Sequence, residues 1–212
     1  MPRAGGGSSR AATADTPRGQ ARTALLDAAL RLFRAKGYTA TTVDELCAAA
    51  GVTKGAFFHH FTSKEALGVA AVEHWTAVTS RLFAEADYHR HRDPLERVLA
   101  YLRLRSELVR GSAAEYSCVA GTTVQEIHAT SPAIREAANR TIESGVAHTE
   151  AHFAEALAAH PLPGVTARDL ASHVQTVIQG AFVVAKARDD ASHVKASIAL
   201  LDRQLRVLFG RG

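Results

Sequence analysis

The chain has 212 residues, 47% of them hydrophobic, and a formal net charge of +4. That length holds one large domain or two small ones around a substantial core, and the positive balance suits an anionic partner without requiring one. The two cysteines, Cys47 and Cys118, exclude a disulfide framework. No signal-peptide stretch opens the chain, and no window approaches the roughly 20 apolar residues that span a bilayer. The expectation is a soluble cytoplasmic protein with no membrane partner.

Residues 1–16 are Gly, Ser, Ala, Thr and Arg with almost no large apolar group, so a disordered arm is expected. Its Arg3 and Arg10 suit either a loose tail or a contact with DNA phosphates. From Thr16 onward the pattern is helical. Leu25, Ala28, Ala29, Leu32 and Phe33 form one apolar face, and Gly37 after Lys36 is a stop. Thr42 to Glu45 is a capping box that opens a second helix, which Gly51 ends after barely two turns. Thr53 can cap a third, running to about His60.

Ser63 opens a long helix through Leu67, Ala71 and Trp75 towards Phe83. Asp93-Pro94 starts another, carrying Leu95, Val98, Leu99 and Leu102 to about Val109. Gly111 and Ser112 break it, and one helix is expected over Glu115–His128. Ser131-Pro132 opens a long helix reaching Ala159. Thr166 caps the next, and the last repeats Val194, Ile198, Leu201, Leu205 and Leu208 at spacings of four and three. No period-two strand stands out. The reading is all-α with about nine helices. It divides into an arm over 1–16, a three-helix helix-turn-helix unit over 17–62, and a helical effector-binding and dimerisation domain over 63–212.

Residues 37–65 carry the functional signal. Two short helices bent around Gly51 form a helix-turn-helix, whose second helix is suited to a DNA groove. Glycine at the bend meets no Cβ penalty at positive φ. Cys47 reads as a small buried group where the two helices press together, not as a reactive thiol. Phe57 and Phe61, four apart, should face the core. Lys54, Gly55, Phe58 and His59 share another face: a cation, a bare backbone position, an aromatic and an imidazole. Lys54 and the amides near Thr53 suit a phosphate, His59 and His60 can donate to one, and Thr42 and Lys64 flank the unit as backbone clamps. Ala56 and Phe58 can meet a thymine methyl or a ribose. The same shape also occurs in proteins that bind no DNA, and a small-molecule-binding helical protein without DNA binding is the alternative reading.

Residues 22–70 resemble the N-terminal domain of the TetR family of bacterial transcriptional regulators. The matching pieces are Ala28-Ala-Leu-Arg-Leu-Phe33, Lys36-Gly-Tyr38, Thr41-Thr-Val-Asp-Glu-Leu46, Ala49-Ala-Gly-Val-Thr-Lys-Gly55, Phe57-Phe-His-His-Phe61 and Ser63-Lys-Glu-Ala-Leu67. The resemblance implies a homodimer on a palindromic operator, released when a small organic molecule enters the second domain, with repression as the usual output. It places DNA contacts at Thr42, Thr53, Lys54, Gly55, Phe58, His59, His60 and Lys64. Family members often carry tyrosine where this chain has Phe58, which has no hydroxyl for a phosphate.

In the second domain, Val174, Val177, Gly180, Ala181 and Val184 on one helix and Ile198, Leu201, Leu205 and Leu208 on the next would make a four-helix dimer interface, or else cover the chain's own core. A pocket should lie among the helices from Ser63 to about Ala187. Its candidate wall is Trp75, Phe83, Tyr101 and Arg105, then Tyr116, Cys118, Thr122, Gln125 and His128, then His152, Gln175, Gln179 and Phe182. Any of these also suits plain packing. Cys118 reads as a buried thiol or, alternatively, as a redox or electrophile sensor. His148 and His152 have a zinc-compatible spacing, with Glu150 and Glu155 nearby, but the set is incomplete and no metal is expected. No nucleophile elbow, phosphate loop or paired carboxylates in a recognisable setting appear, so neither an enzyme nor a cofactor is expected.

Overall fold

Helix-forming sequence runs almost without interruption, so the molecule is shaped by where its helices stop. The computed structural model describes residues 17–211; the arm assigned to 1–16, with Arg3 and Arg10, lies outside them. Ten α-helices follow in order. They are α1 (Pro17–Lys36), α2 (Val43–Ala50), α3 (Lys54–His60), α4 (Lys64–Ala84), α5 (Pro94–Glu107), α6 (Ala113–Tyr116), α7 (Val119–Ile127), α8 (Pro132–Ala159), α9 (Ala167–Arg188) and α10 (Ser192–Leu208). A turn of 3-10 helix, Asp87–Arg90, joins α4 to α5. No strand occurs among the described residues.

The count exceeds the expected nine because Glu115–His128 is two helices. The Ser112 amide and hydroxyl both donate to the Glu115 carboxylate, at 2.7 and 2.8 Å, which starts α6 early. Ser117 is extended, and α7 restarts with the Cys118 Sγ accepting from the Gly121 amide at 3.5 Å. Elsewhere the caps lie where the sequence puts them. Thr53, Ser63 and Asp93 accept from the amides of Ala56, Ala66 and Leu95 at 3.1, 3.0 and 2.9 Å. Each such cap contributes about 0.5–2 kcal/mol.

Gly51 sits at φ 66°, ψ 32°, and the Val52 amide donates back to the Cys47 carbonyl at 3.0 Å. A side chain in that conformation would cost roughly 1–2 kcal/mol.

One hydrophobic core runs through the molecule, from Leu25, Phe33, Leu46 and Phe57 to Phe153, Ile178 and Leu201. Each such side chain fully buried contributes about 1.5–3 kcal/mol. The long α8 packs against α4, α5, α7 and α9. Its approach to α4 is close at Gly68, where a Cβ would lie 2.7 Å from Ile134 Cδ1.

The aliphatic repeat of α10 has a different role from the intermolecular one expected. Val194, Ile198, Leu201 and Leu205 are 0%, 3%, 1% and 3% exposed within the single chain. They face inward because α10 lies across α9 and α5, whose apolar faces they cover. Val174 and Ala181 are buried in the same layer.

Candidate functional site

The capping box of α2 forms the shoulder of the helix-turn-helix. The Thr42 amide and hydroxyl donate to the Glu45 carboxylate at 2.8 and 2.9 Å, and the Glu45 amide donates back to the Thr42 hydroxyl at 3.2 Å. The Lys36 ammonium lies 2.5 Å from the other Glu45 oxygen. Lys36 and Thr42 together pull the Glu45 carboxyl down to about 2. Cys47 is buried between the helices, and burial pushes its thiol pKa up, which suits a packing group.

On α3, one side anchors and the other faces out. Phe57 and Phe61 are 0% and 5% exposed, whereas their neighbour Phe58 is 51% exposed. Thr53, Lys54, Gly55 and His59 are exposed; Ala56 and His60 are half-buried. The His59 and His60 rings pack edge to face, with centroids 5.2 Å apart. Lys54 Nζ lies 2.9 Å from Asp44 Oδ1, both side chains well exposed, so this pair contributes about 0–1 kcal/mol. A Cβ on Gly55 would meet only the Thr53 hydroxyl, at 3.8 Å. The fold itself does not demand glycine there.

Lys64 is placed differently from the backbone clamp expected of it. Its ammonium donates to the Tyr38 and Thr41 carbonyls at 3.1 and 2.9 Å and lies 4.3 Å from the centre of the Tyr38 ring. It ties the α1–α2 loop to the start of α4, and two of its three donors are engaged there.

The body encloses a cavity of about 260 Å³. Nine residues expected in a pocket line it: Trp75 and Phe83 from α4, Tyr101 and Arg105 from α5, Tyr116 and Cys118 at the α6–α7 break, and Gln175, Gln179 and Phe182 from α9. Four lie elsewhere. Thr122 accepts from the Lys186 ammonium at 2.7 Å; Gln125 donates to the Gly121 carbonyl at 2.7 Å. His128 is exposed at the end of α7. His152 packs among Tyr88, His89 and His148.

The sequence reading missed the polar stripe of α8. Thr141, Ser144, Gly145 and His148 line the cavity opposite Thr76 and Thr79, and Thr76 and Thr141 share a hydrogen bond of 2.7 Å. Spacings of three and four along an otherwise small-residue helix were the available signal. Burial, then His152, His89 and Arg105, lowers His148 to about 4, so it is neutral at neutral pH. Its Nε2 meets the Tyr88 hydroxyl, whose own pKa burial raises. Among the described residues no three His, Cys, Asp or Glu side chains are placed to hold a metal ion. Cys118 is 8% exposed in the cavity wall.

Arg34 joins the two regions. From α1 its Nη1 donates to the Glu115 carbonyl at 2.9 Å and reaches the Ser117 carbonyl at 3.5 Å. Its guanidinium lies 4.8 Å from the centre of the Trp75 ring. Burial lowers its pKa. A second tie runs from the Thr39 amide to the Glu126 carboxylate on α7 at 2.6 Å, and a third from Ser131 to Glu65 at 2.5 Å.

Away from the core, α9 and α10 expose Val183, Val184, Leu200, Val207 and Leu208 by 40–70% in round terms, their individual values being 44%, 42%, 49%, 69% and 43%. Gly180 is exposed and Val177 half-buried beside them. Among the described residues no helix is long and apolar enough to cross a membrane.

Two family models match. Residues 25–71 match the bacterial regulatory proteins of the tetR family, and residues 94–198 match the C-terminal domain of LmrA/YxaF-like transcriptional regulators. The transcriptional regulator AcuR of Cereibacter sphaeroides is 31% identical over 134 residues, 63% of this chain and 61% of that protein. The match therefore spans less than two thirds of that relative's length. The HTH-type regulator YxaF of Bacillus subtilis, itself uncharacterised, is 24% identical over 194 residues, 91% of this chain and 97% of its own. Among solved structures, a regulatory protein TetR from Rhodobacter sphaeroides superposes with a TM-score of 0.77 at 28% identity, covering 86% of this chain and 97% of that one.

Proposed function

The chain belongs to the TetR family of bacterial regulatory proteins, and from that premise we propose that it is a ligand-responsive, DNA-binding transcriptional regulator. It acts in the cytoplasm as a homodimer on a palindromic operator, as a repressor released by a small organic effector. Residues 17–62 form the DNA-binding unit and 63–212 the effector-binding and dimerisation domain. The observation that carries the reading is the division of α3. Phe57 and Phe61 lock one side of the helix to the body, and the other side holds an exposed phenyl ring and a cation clear of it.

On the operator, Lys54 and the amides after Thr53 take a phosphate, with Thr42, His59 and His60 on neighbouring ones. Gly55 lets the α3 backbone approach the duplex, and Ala56 and Phe58 meet base methyls or sugar. Lys64 orients the α1–α2 loop through its carbonyl bonds and has one donor left for the DNA backbone. Two such units must be paired about 34–36 Å apart to reach successive half-sites. The exposed strip of Gly180, Val183, Val184, Leu200, Val207 and Leu208 is the surface that pairs them. The effector occupies the cavity beside Trp75, and the Arg34 tie carries its effect to α1. This is a coupling between two binding sites.

The test is fluorescence anisotropy with labelled duplexes from the DNA flanking the protein's own gene, across a salt series. Log affinity should fall steeply and linearly with log salt. Lys54→Ala should weaken binding to every sequence and reduce the slope by about 1. An affinity indifferent to salt, or a variant with an unchanged slope, would contradict the phosphate assignment.

A further inference from the structure

The cavity is apolar over most of its wall, and the cation in that wall has no counter-ion in contact with it. Arg105 lines it from α5, and within the described chain its guanidinium makes one hydrogen bond, from Nη1 to the Tyr101 hydroxyl at 2.9 Å. The Phe83 and Tyr101 rings lie 5.4 and 5.8 Å from it. Among the described residues no carboxylate comes within the 4.0 Å of an ion pair with it. The one carboxylate in the wall, Glu115, is already held by Ser112 at 2.7 and 2.8 Å. A second cation, Lys186, is half-buried behind Thr122.

Arg105 is half-buried in the cavity wall with no carboxylate in contact, and a guanidinium's fork of donors matches a carboxylate in two parallel bonds. Gln175 and Gln179 also line the cavity and carry amide groups that can donate to an anion. Resting on the reading of this cavity as the effector site, we infer that the effector is a small organic anion. It has an apolar or aromatic body and a single carboxylate, the carboxylate on Arg105 and the body against Trp75 and Phe182.

Trp75 is the single tryptophan of the chain and lines the cavity, so its emission reports occupancy. The full-length protein is titrated with three probes sharing one body and differing in charge: 4-phenylbutyrate, 4-phenylbutanamide and 4-phenylbutylamine. Each is also tested for release of labelled operator DNA. The acid should bind at least roughly tenfold more tightly than the amide, and the amine more weakly than both. Arg105→Gln should bring the acid down to the level of the amide, while Arg105→Lys, which keeps the charge, should preserve part of the preference. Equal binding of acid and amide, with both releasing DNA, would overturn the anion assignment and leave the effector cavity standing. So would a preference that survives Arg105→Gln. If none of the three probes alters Trp75 emission, the anion assignment and the effector reading of the cavity both fall.

Discussion

The helix-turn-helix and the cavity wall use polar side chains in opposite ways. Around α2 and α3, hydroxyls and carboxylates close helix ends: Thr42 with Glu45, Thr53 with Ala56, Ser63 with Ala66. The geometry of those helix ends is set by local sequence. Around the cavity, Arg105 comes from α5 and Gln175 and Gln179 from α9, far apart in sequence, and among the described residues Arg105 makes a single hydrogen bond, to Tyr101. A surface that must match one fixed shape benefits from rigidity built in locally. A cavity that must gain something by being filled has to leave bonding capacity open.

The contrast can be broken most forcefully from the core side. Phe57→Ala removes a fully buried ring from under α3 and should cost about 3–5 kcal/mol, read in a urea melt as a lower midpoint. DNA binding should vanish with it, while an isolated polar change in the cavity should not unfold the molecule.

A pH series sharpens the comparison next. His148 is lowered from 6.5 to about 4 in the folded state. A depressed folded value means that the unfolded chain binds the proton first. The stability this histidine contributes is therefore present above pH 6.5 and is lost as pH falls from there to about 4. His148→Asn should remove roughly one proton's worth of slope from that window. Glu45, lowered from 4.5 to about 2, acts in the same sense across a more acid window, so the two regions lose stability at different pH.

Two smaller effects probe the DNA unit alone. Thr42→Ala should cost about 1 kcal/mol in thermal unfolding, by opening the α2 cap. Gly55→Ala should raise stability by roughly 0.5–1 kcal/mol, since alanine favours the helix and its Cβ has room. It should nonetheless weaken operator binding in the anisotropy assay. Unchanged affinity would remove the role given to close backbone approach.

The helix-turn-helix was legible in the sequence because its determinants are adjacent. Gly51, the Thr42 box and the four-residue spacing of Phe57 and Phe61 act within one or two turns. The α10 repeat left two roles open because a four-three pattern says only that a face is buried, not against which chain; Ile198, Leu201 and Leu205 turn inward, whereas Leu208 stays exposed. That Lys64 also holds the α1–α2 loop was not legible, because the carbonyls it binds, of Tyr38 and Thr41, lie 23 to 26 positions away. The aromatic part of the cavity wall was visible as large residues on helix faces. Its α8 side was not, since Ser144 and Gly145 line a space only when α4 and α9 stand opposite.

Arg34 also carries a thermodynamic obligation. It suspends α1 from the Glu115 and Ser117 carbonyls and from the face of Trp75, all of them part of or next to the cavity wall. Any strain the effector places on that wall is shared with the helix that carries the DNA unit. Linkage then requires symmetry: if filling the cavity weakens the grip on DNA by some factor, the protein seated on its operator must hold the effector more loosely by that same factor. On that condition the operator is an antagonist of the small molecule, and the copies of the protein not on DNA fill first.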